Sequence, residues 1–166
     1  MMVTILSFFF IILFQVMVLK KVVLFNTGFC YIYIAFLLLL PIETNPVALM
    51  GIAFLLGLMI DIFYDSLGIH SSSSVLIAYL RNYWLDIITP QGGYEIGAGP
   101  TLQANGVQWF LVYSLPLVFI HHATLFFTEA GGFDLFGFTS MKILASVLFT
   151  FSLIILHQLI SGKRKR

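Results

Sequence analysis

From Met2 to Leu19 the chain carries no charged side chain, and further apolar runs recur at about 24–42, 47–66, 69–88, 107–128 and 139–160. A helix needs roughly 20 residues to cross the hydrocarbon core of a bilayer, and runs of this length leave little chain for anything else. Composition agrees: 60% of the 166 residues are hydrophobic and 9% charged, against about 45–50% apolar and 25% charged in soluble domains. The expectation is an all-α integral membrane protein, a six-transmembrane-helix bundle. One polytopic domain covers residues 1–162, with no room for a soluble domain, and 163–166 form a basic tail.

The first run has no basic residue ahead of it and no small-x-small cleavage site after it, so it reads as a retained helix rather than a signal peptide. The second is the shortest. Its uninterrupted part, "GFCYIYIAFLLLLPI", covers 28–42 and as a helix would reach only about 22 Å of a core near 30 Å. A five-span protein is the alternative. The third and fourth runs are separated by a tight turn at Ser66-Leu67-Gly68, and the polar, glycine-rich stretch 89–106 reads as a mobile loop, with a partly re-entrant segment as the alternative. The cluster Lys163 to Arg166 places the C-terminus in the cytoplasm, and six spans place the N-terminus there too. Arg81 then counts with the cytoplasmic charges, and Lys20, Lys21 and Lys142 lie outside. The net charge of +1 is too small to suggest nucleic acid, and no nucleic-acid partner is expected. One cysteine, Cys30, permits neither an internal disulfide nor a cysteine metal site.

Two carboxylates interrupt the third run. A charged side chain at mid-bilayer costs about 2.5–3.5 kcal/mol on the insertion scale, so Asp61 and Asp65 need a partner or a task. Ala53, Gly57, Asp61 and Asp65 follow at i+4, on one face where small residues admit a neighbouring helix. The fourth run opens with "IHSSSS", and the unpaired N–H groups of a helix start are natural donors to a carboxylate. Asp65 first, and Asp61 second, is therefore expected to tie the hairpin by accepting hydrogen bonds from the start of the fourth helix. The rival reading makes Asp61, Asp65 and His70 a proton relay or metal site, but D-x-x-x-D with a distant His matches no ligand order.

The remaining polar residues carry no catalytic set. His121 and His122 are adjacent, about 100° apart on a helix, so they cannot both face one metal; one is expected to face the interior and the other lipid. His157 is expected at the interface. Gly97-Ala98-Gly99 lacks the strand, third glycine and lysine of a phosphate cradle, and no serine sits in a G-x-S-x-G context. No cofactor, metal or enzymatic activity is expected.

The stretch "GIAFLLGLMIDIFYDSLGIHSSSSVLIAYLRNYWL" resembles the MreD family of rod-shape-determining membrane proteins. The resemblance rests on Gly57, Asp61, Leu67, Gly68, His70 and Arg81: a helix with glycine then aspartate, a Leu-Gly turn, a histidine, and a helix ending near an arginine. It implies a multi-pass protein of the bacterial inner (cytoplasmic) membrane, a non-catalytic scaffold of the cell-elongation machinery. Its implied partners are MreC, indirectly MreB, RodA and the penicillin-binding transpeptidase of elongation, and membrane lipids. The family's fold is similar to the S component of energy-coupling-factor transporters, so a vitamin-binding S component is the alternative function. The structural hairpin motif comprises Gly57, Asp61, Asp65, Gly68 and His70.

Overall fold

A computed structural model describes residues 2–95, 97 and 99–162, without the side chains of 2–4 and 162; the basic tail 163–166 lies outside the described residues. The chain is mostly helical. Helix α1 spans Met2–Met17, α2 Ile34–Leu38, α3 Pro46–Tyr64, α4 Ile69–Ile87, α5 Leu102–Asn105, α6 Val107–Glu129 and α7 Phe136–Gly162. A two-residue hairpin, β1 Val23–Leu24 paired antiparallel with β2 Gly28–Phe29, follows α1. Helices α3 and α6, and α7 from Phe136 to Ser161, are long and apolar enough to cross a membrane.

Polarity is inverted relative to a water-soluble bundle. Phe9, Phe10, Leu13, Ile62, Val112 and Leu148 point outward, while Gln15, His70, Arg81, His121, His122, Ser146 and Thr150 are buried. In lipid an outward apolar side chain needs no cover, and polar groups are satisfied only inside. Helix α4 shows this most clearly: its buried face carries His70, Ser71, Ser73, Ser74 and Arg81 together with Ile77, Ala78 and Leu85.

The run expected as a second spanning helix, 24–42, is not one helix. It holds the β1–β2 hairpin, whose tip places Phe25 and Asn26 at positive φ, then the irregular pair Cys30-Tyr31 and a turn at Ile32-Tyr33, then only the five residues of α2. Yet this is the best buried part of the chain: Cys30, Tyr33, Ile34, Ala35, Leu37 and Leu38 are all at most 2% exposed. Irregular backbone is tolerated at membrane depth only where protein surrounds it and its polar groups find partners. They do. The N–H groups of Phe29 and Tyr31 donate to Ser146 Oγ and Thr150 Oγ1 of α7, at 2.9 and 3.0 Å. Gln15 Nε2 of α1 donates to the Cys30 carbonyl at 2.8 Å. Tyr113 Oη of α6 donates to the Leu38 carbonyl at 2.7 Å, and Arg81 Nη2 to the Leu40 carbonyl.

The two ends of the broken segment mark the ends of the bundle. Phe29 lies by Phe126, ring centroids 6.0 Å apart, near the ion pair of Lys142 with Glu129. Tyr64 is here as well, accepting from Gln15 Nε2 at 3.0 Å. At the opposite end Leu40 meets Arg81, and Gln158 of α7 accepts from the Leu102 N–H at 3.3 Å.

Candidate functional site

The α3–α4 hairpin is built on one close approach. A Cβ added to Gly57 would stand 2.4 Å from Ser71 Cα, 2.6 Å from Ser71 N and 2.7 Å from the His70 carbonyl. No side chain fits, so glycine alone lets α3 lie against the first turn of α4. One helical turn later on the same face comes Asp61. Its Oδ1 accepts from Ser66 Oγ at 2.6 Å and from the His70 N–H at 3.0 Å; its Oδ2 accepts from the Ser71 N–H at 2.9 Å and Ser71 Oγ at 2.5 Å.

Asp61 thus caps a helix it does not belong to. The turn explains why. Gly68 precedes α4 at φ 84° and has no side chain with which to cap it, so the orphan N–H groups of the first turn are met from α3 instead. The carboxylate also faces the positive end of the α4 dipole.

The order expected for the two aspartates is reversed. Asp65 lies one residue beyond α3, at φ 54° and ψ 37°, a left-handed conformation that Asp tolerates better than most residues. Its N–H donates to the Asp61 carbonyl and its side chain is exposed. The helix ends at Tyr64, so the i+4 face stops short of position 65.

His70 points inward from the tie. Its Nδ1 is 3.0 Å from Tyr33 Oη, which is 2.8 Å from His121 Nε2. The phenol has one proton, so it donates to one imidazole and accepts from the other. His122 is directional: Nδ1 is 2.8 Å from the Val118 carbonyl, which can only accept, so Nδ1 carries the proton. Its Nε2 then accepts from Thr150 Oγ1 at 3.0 Å, and Thr150 in turn accepts from the Tyr31 N–H.

Both histidines are fully buried, contrary to the expectation that one faces lipid. Helix α6 packs against α4 and against α7, with the broken segment reached from its His121 side, so two directions about 100° apart both lead inward. Among the described residues, no group of three His, Cys, Asp or Glu side chains is placed to hold a metal ion. His157 is exposed on α7.

Arg81, counted above among the interfacial charges, is instead fully buried. It joins α4 to Tyr113 of α6, with Nε donating to Tyr113 Oη at 2.8 Å, and to the carbonyls beyond α2. The stretch 89–106 lies against the same end and is held there. Tyr94 Oη donates to the Leu85 carbonyl at 2.8 Å, and the Gly97 N–H to Glu43 Oε1 at 3.0 Å. That N–H keeps the Glu43 carboxyl below its ordinary value.

Sequence reasoning missed Gln15, Tyr33, Tyr113, Ser146 and Thr150. Each is an isolated polar group in an apolar run, which is itself the signal that a partner waits inside. No protein-family model, curated protein or solved structure matches the chain. Function rests on the geometry and on the sequence resemblance.

Proposed function

We propose that the chain is a non-catalytic scaffold of the bacterial cell-elongation machinery, an MreD-type protein of the inner membrane that supports MreC and side-wall peptidoglycan synthesis. The observation that carries this reading is the interlock of the hairpin. Gly57 admits the backbone of α4, Asp61 caps it, Gly68 makes the left-handed turn and His70 reaches the centre of the bundle. These residues carry the family resemblance, and each is spent on holding the chain to itself. The interior's other hydrogen bonds likewise run to the chain's own backbone and side chains, which suits a rigid frame that presents its outer faces to partners.

In this reading α1, the broken segment, α3, α4, α6 and α7 make six crossings with both termini on one side. The basic tail puts that side in the cytoplasm, and the turn at Ser66 to Gly68 lies outside. Co-purification in mild detergent tests the proposal. MreC is recovered with the chain, and depletion rounds and widens rod-shaped cells. Recovery of ATPase subunits with a bound vitamin, and unchanged shape after complete depletion, would replace the scaffold with the transporter reading.

A further inference from the structure

Arg81 has more donors than the chain uses. A guanidinium carries five N–H groups and stays charged in proteins. Nε serves Tyr113, and Nη2 serves the carbonyls of Leu40 and Pro41. Nη1 is buried with no partner. The described residues include all seven acidic side chains, and none pairs with Arg81; the ion pair among them joins Lys142 to Glu129. Carbonyl dipoles offset the charge only in part, and an unneutralised cation away from water is strongly disfavoured.

The depth of the site says where a counter-charge comes from. Tyr79, Tyr83 and Trp84 lie within a turn of Arg81 on α4, with Tyr79 and Tyr83 exposed. Trp109 stacks on Tyr113 at 5.0 Å and meets Tyr94 at 5.8 Å. Tyr and Trp gather at the level of lipid headgroups. The guanidinium therefore lies at the depth where phosphate is the abundant anion, and Arg is the side chain whose planar donors suit phosphate oxygens.

We propose that Arg81 anchors a phosphate-binding site at this end of the bundle, its Nη1 donating to a phosphate group presented by an anionic phospholipid headgroup or by free phosphate. The occupant neutralises the buried charge and joins α4, α6 and the Leu40–Pro41 turn through one residue. Access requires Gly97 and Gly99, which lie against that turn, to move aside, and one hold there is the Gly97 N–H bond to Glu43. The site does not depend on the scaffold role, and its test does not use MreC.

The chain has three arginines, Arg81, Arg164 and Arg166. In the full-length R164K/R166K variant, guanidino-15N labelling marks Arg81 alone. Solid-state NMR then measures 31P–15N dephasing in two settings: phosphatidylglycerol bilayers, and phosphorus-free glycolipid bilayers with inorganic phosphate added. Dephasing in the first identifies the lipid as the source, and dephasing confined to the second identifies free phosphate; either supports the site. No dephasing in both settings overturns it and leaves Nη1 to water. As a second readout, the same phosphate source raises the thermal midpoint of the wild-type protein by several degrees and leaves that of Arg81→Gln unmoved. An equal rise in both overturns the assignment. If Arg81→Gln does not fold, the NMR measurement decides alone.

Discussion

Asp61 and Arg81 are charges of opposite sign buried toward opposite ends of α4, and the chain meets them differently. The carboxylate receives four hydrogen bonds within its own hairpin, two on each oxygen. The guanidinium gives three and keeps Nη1 unpaired. Asp61 also lies at the favourable end of the α4 dipole, whereas Arg81 sits before the last turn. A carboxylate with every acceptor site engaged has nothing left to offer a metal or a substrate proton, so it acts as a clasp. A guanidinium with open donors still has a ligand to find. Burial alone does not separate a structural charge from a binding one; the count of satisfied donors and acceptors does.

The largest effect expected from breaking this comparison is Asp61→Leu. Leucine strands the His70 and Ser71 N–H groups and two serine hydroxyls, a loss of about 3–5 kcal/mol, and the protein fails to accumulate as a folded species in mild detergent. Gly57→Ala follows at about 2–3 kcal/mol, because the obstructing atoms are backbone and must move. A Gly57→Ala variant with an unchanged thermal midpoint would mean that α3 and α4 are not packed as described. Tyr113→Phe is smaller. It removes the acceptor of Arg81 Nε and the donor to the Leu38 carbonyl and lowers stability by about 1–2 kcal/mol. The same measurement on Asp65→Asn should fall within about 0.5 kcal/mol of wild type, since Asn also tolerates the left-handed turn.

Glu43 gives the weakest and most local effect, because its carboxylate is exposed. Its folded value is depressed by the Gly97 N–H, so the hold on the 89–106 stretch is fully present above the unfolded carboxyl value, about 4.3, and is lost as pH falls through the lower folded value. The protection of the Gly97 amide against exchange, relative to its intrinsic rate at each pH, should fall in acid and stay constant between pH 5 and 8. Glu43→Gln should remove the step. A midpoint near neutrality would assign it to another group.

What the sequence revealed followed physical scale. The runs at 47–66, 69–88, 107–128 and 139–160 each coincide with a helix, which is how such a run satisfies its backbone when no other element offers partners. The clasp was half legible. Helical spacing aligned Ala53, Gly57 and Asp61, but which aspartate makes the tie depends on the left-handed residue that ends α3, and local sequence does not fix that. The run at 24–42 misled because its leucines read as one long helix, while the chain before Ile32 turns back on itself as a short hairpin. The decision between them lies with Ser146 and Thr150, more than a hundred residues away. Arg81 misled in the same sense: a charge near a helix end reads as a topology marker until its partners are known.

If the buried carboxylate works by hydrogen bonding and the chain holds partners as proposed, the decisive variant is Asp61→Asn in rod-shaped cells depleted of the native copy. The amide removes the charge and retains an oxygen acceptor for the start of α4. The expected product is a folded protein, modestly less stable than wild type, that co-purifies with MreC and restores rod shape. Rounded cells containing an Asp61→Asn protein fully assembled with MreC would contradict that expectation and return the carboxylate to proton or charge chemistry.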